Sequence, residues 1–122
     1  MVDHTYFFDS YAILAIIQDN PAYAHYKQCK MATTALNLIE VNYILLRDYG
    51  MRIVDAFYHA LIPTLVEYEH VIQEANVMRL QMKKRNVSAA DCVGYTLAKL
   101  AGIKFLTGDK EFENLPNVEF IK

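Results

Sequence analysis

The chain has 122 residues, of which 54% are hydrophobic, and this length and composition predict one folded domain, residues 1–122, rather than a disordered segment. The net charge of −2 excludes a globally basic nucleic-acid-binding protein, so any affinity for nucleic acid must be local or depend on a metal ion. Two cysteines fit a reducing compartment, and the lack of a basic leader or a long apolar run predicts a cytoplasmic protein without a membrane span.

Short apolar runs and helical periodicity alternate along the first half of the chain. The predicted elements are a strand at 5–8, helices at 11–18 and 22–30, a brief strand or loop at 31–34, and helices at 35–49 and 51–61. Pro21 separates the first two helices because proline cannot continue a helix, and Gly50 is well placed to cap the helix at 35–49.

The helix at 35–49 carries apolar residues over most of its surface. Leu36, Ile39, Tyr43 and Leu46 form a stripe at helical spacing, and further apolar residues fill much of the opposite side. We therefore expect this helix to be largely buried.

The second half of the chain continues the alternation. It predicts a strand at 65–68, a helix at 69–85 that ends on Lys83-Lys84-Arg85, a helix at 88–101 with Gly102 beyond it, and strands at 104–106 and 118–121. Strands separated by helices predict an α/β fold with a central, mostly parallel sheet of four to five short strands and helices on both faces.

Four acids stand at structured or apolar positions where a carboxylate is costly: Asp9, Glu40, Asp91 and Asp109. Asp9 follows the first predicted strand and Asp109 follows the penultimate one, and sites in open parallel sheets form at the carboxyl ends of strands. If the fold brings the acids together, two carboxylates about 5 Å apart repel by roughly 3 kcal/mol at an effective dielectric near 20. A divalent cation relieves that repulsion, and such a site points to phosphate chemistry.

Three segments together resemble the PIN-domain proteins, and in particular the VapC-type toxins of bacterial and archaeal toxin–antitoxin pairs. The C-terminal segment, 87–112, has a hydroxyl or small residue ahead of Asp91, an alanine-rich helix, a glycine turn, a hydrophobic strand, and then Thr107-Gly108-Asp109 with a phenylalanine after it. The N-terminal segment is Phe7-Phe8-Asp9-Ser10 together with Ala12 to Leu14, and the middle segment is 33–40, which ends at Glu40. The resemblance spans nearly the whole chain.

The resemblance implies a three-layer PIN-like fold and a metal-dependent ribonuclease, that is, a phosphodiester hydrolase acting on RNA, with the four acids in one pocket. It also implies a homodimer that is inhibited by a small antitoxin protein. On this reading Mg²⁺ or Mn²⁺ is the cofactor. Asp9, Asp91 and Asp109 are the principal ligands, and Glu40 binds the metal directly or through an ordered water.

Three further residues near these acids are candidates for supporting roles. Ser10 and Thr107 are placed to orient the ligands, and Glu111 is a possible fifth acid. Lys83-Lys84-Arg85 could steer RNA phosphates, but cations at the end of a helix also complement its dipole.

Each aspartate also has a purely structural interpretation. Asp9 could cap the helix that follows it, Asp91 forms a capping box with Ser88, and Asp109 could cap the next turn. Glu40 has no basic partner at i+4 and is harder to explain as structural. Two alternatives to a toxin stay open: an RNA-processing PIN-domain nuclease without an antitoxin, and a nuclease-inactive interaction module with the same fold.

Overall fold

The computed structural model describes residues 4–122. Within them, four strands are present: β1 (Thr5–Phe8), β2 (Lys30–Ala32), β3 (Lys104–Thr107) and β4 (Val118–Phe120). They form one sheet in the order β2-β1-β3-β4, and every neighbouring pair is parallel. The α-helices are α1 (Ser10–Ile17), α2 (Ala35–Tyr49), α3 (Met51–Leu61), α4 (Ile72–Gln81) and α5 (Ala89–Ala101). The predicted α/β class is confirmed.

The sheet is covered on both faces because its strands are apolar at consecutive positions. Side chains alternate between the two faces of a strand, so Phe7 and Phe8 enter different cores. The core around Phe8 is completed by α1, α2 and α3, and the core around Phe7 is completed by α4 and α5. The result is the expected arrangement of three layers.

Helix α5 packs closely against the sheet at Gly94. A Cβ atom at this position would lie 2.5 Å from the ring of Phe7 and 3.1 Å from the ring of Phe105. Both rings are almost fully buried and stack on each other with their centroids 5.8 Å apart. Glycine is therefore required by the close approach of the helix to the sheet, and this approach holds the start of α5 at the carboxyl ends of the strands.

Two predicted elements have a different form in the structure, and a third, described in the next paragraph, is shorter than predicted. Residues Pro21–Gln28 form a 3-10 helix instead of an α-helix, and Tyr23 and Tyr26 are both buried. Residues three apart eclipse in a 3-10 helix, which brings the two rings to the same side. The predicted strand at 65–68 reduces to one bridge between Thr33 and Leu65.

The predicted helix at 69–85 is shorter than expected. It consists of a 3-10 turn, Glu69–Val71, followed by α4, which ends at Gln81. The range contains neither glycine nor proline, so the sequence gives no local signal for this end. Lys83-Lys84-Arg85 consequently lies in the exposed turn beyond the helix.

Helix α2 was predicted to be largely buried, but one of its sides is exposed. Leu38, Val41 and Leu45 face the core, whereas Ile39 and Tyr43 are 66% and 63% exposed. Both sides of this helix are apolar, so periodicity alone could not decide which side packs on the sheet. None of the helices within residues 4–122 combines the length and apolarity that crossing a membrane requires.

Candidate active site

The four acids that the sequence singled out line one cavity of about 1070 Å³. Asp9 directly follows β1, and Asp109 comes two residues after β3. Asp91 lies in the first turn of α5, and Glu40 lies on α2. The strand order reverses between β1 and β3, and ligands of open α/β sheets bind at such a switch point.

Asp9 is the most deeply buried of the four acids, with 2% of its surface exposed. Its Oδ1 accepts a hydrogen bond of 2.8 Å from the backbone N–H of Ala12, which makes it the N-cap of α1. Its other oxygen accepts a hydrogen bond from the hydroxyl of Thr107. Burial raises the pKa of Asp9 to about 7 against these two hydrogen bonds, and the charges of Asp91 and Asp109 add to the rise.

Asp91 forms the capping box that its sequence predicted. Its Oδ2 accepts a hydrogen bond of 2.9 Å from the N–H of Ser88, and its own N–H donates to Ser88 Oγ at 3.1 Å. Burial raises the pKa of Asp91, and the nearby carboxylates of Asp109 and Glu40 raise it further. Because the capping box uses only one carboxylate oxygen, Asp91 caps α5 and also lines the cavity.

Asp109 is held by the same hydroxyl that contacts Asp9. Its N–H donates to Thr107 Oγ1 at 3.0 Å, and its Oδ1 accepts from the N–H of Glu111 at 3.0 Å. Thr107 itself is fully buried at the end of β3. One threonine thus orients two acids that belong to different parts of the chain.

Glu40 is held by a chain of hydrogen bonds that begins at Thr34, the N-cap of α2. Thr34 donates to Asn37 Oδ1 at 2.7 Å, and Asn37 donates to Ser10 Oγ at 3.2 Å. Ser10 donates to Glu40 Oε1 at 2.5 Å. Asn37 is fully buried, and the sequence interpretation missed it. An amide between Leu36 and Leu38 on an apolar helix was the available signal.

The charges of the four acids are not neutralised by neighbouring side chains. The salt bridges within residues 4–122 join Lys27 to Asp19, Arg47 to Asp48 and His59 to Asp55, and none includes an acid of the cavity. Three cations do line the cavity, namely Arg47, Arg79 and Lys110, and the sequence interpretation had assigned none of them to the site. The cavity therefore combines an acidic centre with cationic walls.

The acids suit a hydrated divalent cation better than a closed cage of direct ligands. In the described part of the chain no three Asp, Glu, His or Cys side chains are arranged to hold one metal ion, so the expected set of Asp9, Asp91 and Asp109 is not present as a ready set of ligands. Mg²⁺ keeps several of its waters and is commonly held by one or two carboxylates. Among the contacts of residues 4–122, one oxygen each of Glu40, Asp91 and Asp109 accepts no hydrogen bond. The donor chemistry therefore fits such an ion.

Glu111, the possible fifth acid, does not line the cavity. Its backbone contacts Asp109 through the N–H, and its carbonyl oxygen accepts a hydrogen bond of 2.7 Å from Arg85. The structure uses this residue through its main chain.

A family model and several solved structures are similar to this chain. A family model described as "PIN domain" matches residues 6–118. No curated protein sequence matches the chain. Among solved structures, a toxin–antitoxin complex from Klebsiella pneumoniae is similar with a TM-score of 0.75 at 16% identity, covering 93% of this chain and 95% of that one.

Two further structures have the same fold. Mycobacterium tuberculosis VapC20, described as a sarcin–ricin loop cleaving toxin, has a TM-score of 0.74 at 18% identity, covering 95% of this chain and 98% of its own. VapBC2 from Rickettsia felis, bound to a DNA fragment from its promoter, has a TM-score of 0.68 at 15% identity, covering 97% and 99%.

Proposed function

The chain belongs to the PIN-domain family, and we propose that it is a divalent-metal-dependent endoribonuclease that acts in the cytoplasm as the toxin of a toxin–antitoxin pair. The observation that carries the proposal is the convergence of four carboxylates in one cavity without a salt-bridged partner among the described residues. Such a cavity attracts Mg²⁺ or Mn²⁺, and metal held by carboxylates serves phosphoryl chemistry.

Asp91 and Asp109 are the proposed direct ligands, because each keeps one oxygen free of hydrogen bonds from the described residues. Asp9 and Glu40 complete the site through water or as further ligands. When bound, the ion polarises a phosphodiester and lowers the pKa of a coordinated water. Burial, and after it the mutual repulsion of the acids, raises the pKa of Asp9 and Asp91, and a divalent ion in this cavity would favour their charged forms.

The protein's own groups hold the acids in place. Thr107 keeps the carboxylate of Asp9 turned toward β3, and Ser10 fixes one oxygen of Glu40. Hydrogen-bonded partners of metal-binding residues orient them, and their loss commonly costs 10- to 100-fold in affinity or activity. Arg79 and Lys110 on the walls of the cavity attract the phosphate groups of a nucleic acid.

The decisive experiment compares wild-type protein with Asp9→Asn on a panel of structured and single-stranded RNAs, with Mn²⁺ and with a chelator. We expect cleavage by wild-type protein only when Mn²⁺ is present, and none by the folded variant. Full activity of Asp9→Asn, or equal cleavage in the chelator, would refute the proposal. A mutant that keeps its circular dichroism spectrum excludes misfolding as the cause of a loss.

An antitoxin partner is supported by an apolar groove between α2 and α3. The groove has a volume of about 540 Å³ and includes Ile39, Tyr43, Leu46 and Tyr58, each at least 41% exposed. Tyr43 also lines the acidic cavity, so the two depressions are neighbours. We propose that a helix of the antitoxin fills this groove, from which an arginine can reach the acids and pair with them.

The proposed homodimer is supported by apolar side chains on other helices. Val77 on α4 and Leu100 on α5 are more than half exposed. They lie outside the groove between α2 and α3, so an antitoxin seated there would leave them uncovered. Light scattering on the isolated chain measures the oligomeric state, and a monomer at micromolar concentration would contradict this part of the proposal.

A further inference from the structure

A second cavity adjoins the acidic one, and of the residues that line it the activity proposed above uses only Arg79. Its volume is about 390 Å³, and we refer to it as the basic pocket. The side chains that form it come from the end of α4 and the turn that follows: Asn76, Arg79, Leu80, Lys83, Arg85 and Val87. Three of these six are cations, and none is an acid.

The basic pocket adjoins the acidic cavity. Arg79 and Val87 line both of them, so these two residues lie between the pocket and the cavity. Arg85 ties the turn to the acidic site, because it donates to the carbonyl oxygen of Glu111, whose N–H in turn donates to Asp109. The position of the pocket relative to the acids is therefore set by hydrogen bonds.

The cations of the pocket are free to bind an anion. None of Arg79, Lys83 and Arg85 has a carboxylate within salt-bridge distance in the part of the chain from residue 4 onward. All three side chains are exposed. Complementing the dipole of α4 does not account for all of these charges, since Lys83 and Arg85 lie in the turn beyond the helix.

We propose that the basic pocket binds the phosphate backbone of the RNA strand next to the phosphodiester that is cleaved. This inference rests on the proposed function, because it assigns the neighbouring phosphates of the same substrate. A single-stranded backbone carries one charge per nucleotide, so a strand with one phosphate at the acidic centre places further phosphates nearby. The adjoining cations neutralise them, and the amide of Asn76 adds a donor that suits phosphate oxygen. Recognition here is independent of base sequence.

The experiment measures binding of a fluorescein-labelled twelve-nucleotide oligothymidylate, which a ribonuclease does not cleave, by anisotropy in Mg²⁺ over a range of KCl concentrations. The test variant is Lys83→Gln, since Lys83 lines the basic pocket and not the acidic cavity. The matched control is Lys104→Gln, which removes the same charge at the amino end of β3. The acidic cavity lies at the opposite, carboxyl ends of the strands.

We expect Lys83→Gln to weaken binding about three- to tenfold at low salt and to lower the slope of log K against log salt by about 0.7, the value for one phosphate contact on a single strand. Lys83→Arg should restore both quantities, and Lys104→Gln should change neither. Equal effects of Lys83→Gln and Lys104→Gln, or no effect of either, would overturn the proposal.

Two further measurements separate this proposal from the proposed function. If RNA cleavage depends on Mn²⁺ but oligonucleotide binding does not depend on Lys83, the proposal for the basic pocket is wrong and the proposed nuclease activity stands. If binding depends on Lys83 but no RNA is cleaved, the basic pocket is a nucleic-acid site and the proposed nuclease activity is wrong. A hexaglutamate peptide whose affinity depends on Lys83, while that of oligothymidylate does not, assigns the pocket to an acidic protein segment and also overturns the proposal.

Discussion

Thr107, the last residue of β3, donates its hydroxyl hydrogen to the carboxylate of Asp9, which directly follows β1 and lies 98 positions earlier in the chain. The contact exists because β1 and β3 are parallel neighbours, with Phe8 opposite Leu106 in the register. The same hydroxyl accepts the N–H of Asp109. The distance between two candidate metal-binding acids is thus controlled by one buried side chain.

Replacing this threonine should impair the site more than the fold. Thr107→Val keeps the shape of the side chain but removes the donor to Asp9, so we expect a 10- to 100-fold loss of metal-dependent cleavage and weaker Mn²⁺ binding by calorimetry. Thr107→Ser keeps the hydroxyl and should recover most of the activity. Equal losses in the two variants would indicate a role in packing alone.

The acids near the end of β3 should differ sharply in importance. Asp109→Asn is expected to reduce cleavage by about 100-fold or more, because it removes a carboxylate from the cavity. Glu111→Gln should leave cleavage within about twofold, since Glu111 acts through its backbone and its side chain is outside the cavity. Asp55→Asn, an exposed acid on α3, is the matched control for the loss of charge. A severe loss in Glu111→Gln would restore it as a fifth acid of the site.

The stability of the metal-free protein should fall as the pH rises between about 4 and 7. Burial raises the pKa of Asp9 from 3.8 to about 7, so in this window the folded state binds more protons than the unfolded state. The free energy of unfolding then decreases with pH by about 1.4 kcal/mol per unit, to a total of at most about 4 kcal/mol.

Asp9→Asn removes this pH dependence because the amide carries no charge. Urea denaturation should show the variant to be more stable than wild-type protein at pH 8 and nearly equal to it at pH 4. Adding Mn²⁺ at pH 8 should stabilise the wild-type protein and narrow the difference. A stability difference that is the same at both pH values would show that the charge of Asp9 is not its source.

Gly94 should tolerate no side chain. Gly94→Ala places a methyl group 2.5 Å from the ring of the buried Phe7, so the ring or the helix must move. Overpacking of this kind costs about 1–3 kcal/mol, measurable as a lower urea midpoint. The double variant Phe7→Leu with Gly94→Ala should be less destabilised than the sum of the two single variants. Full additivity would argue that the two residues do not clash.

A charged side chain introduced into the groove between α2 and α3 tests whether the antitoxin binds there. Leu46→Asp should abolish capture of a co-expressed antitoxin while leaving RNA cleavage within about twofold, because Leu46 lines the groove and not the acidic cavity. Met51→Asp, at an exposed position at the start of α3 outside the groove and the acidic cavity, is the matched control. Antitoxin binding that survives Leu46→Asp, or that Met51→Asp abolishes equally, would contradict this placement of the partner.

Much of the fold could be predicted from local signals. Thr34 and Gly50 bound α2 at the residues expected, because a capping hydroxyl and a glycine with positive φ act within one turn of the chain. The alternation of strands and helices likewise predicted a parallel sheet with helices on both faces. The end of α4 could not be predicted, since the range contains no residue that ends a helix.

The candidate site divides in the same way. Two of its four acids were found from their position after predicted strands, Glu40 from its place in an apolar helix and Asp91 at the start of a helix, and the family resemblance supported all four. A carboxylate at such a position is a local property of the sequence. The burial of Asn37, the place of Arg79 between two cavities and the exposure of one side of α2 depend on how the helices pack on the sheet. Amino-acid order determined the helices, the strands and the candidate acids of this protein. Only the packing of α2 and α4 on opposite faces of one parallel sheet decided which side chains share a cavity, because contacts between residues distant in the chain are set by packing and not by local propensity.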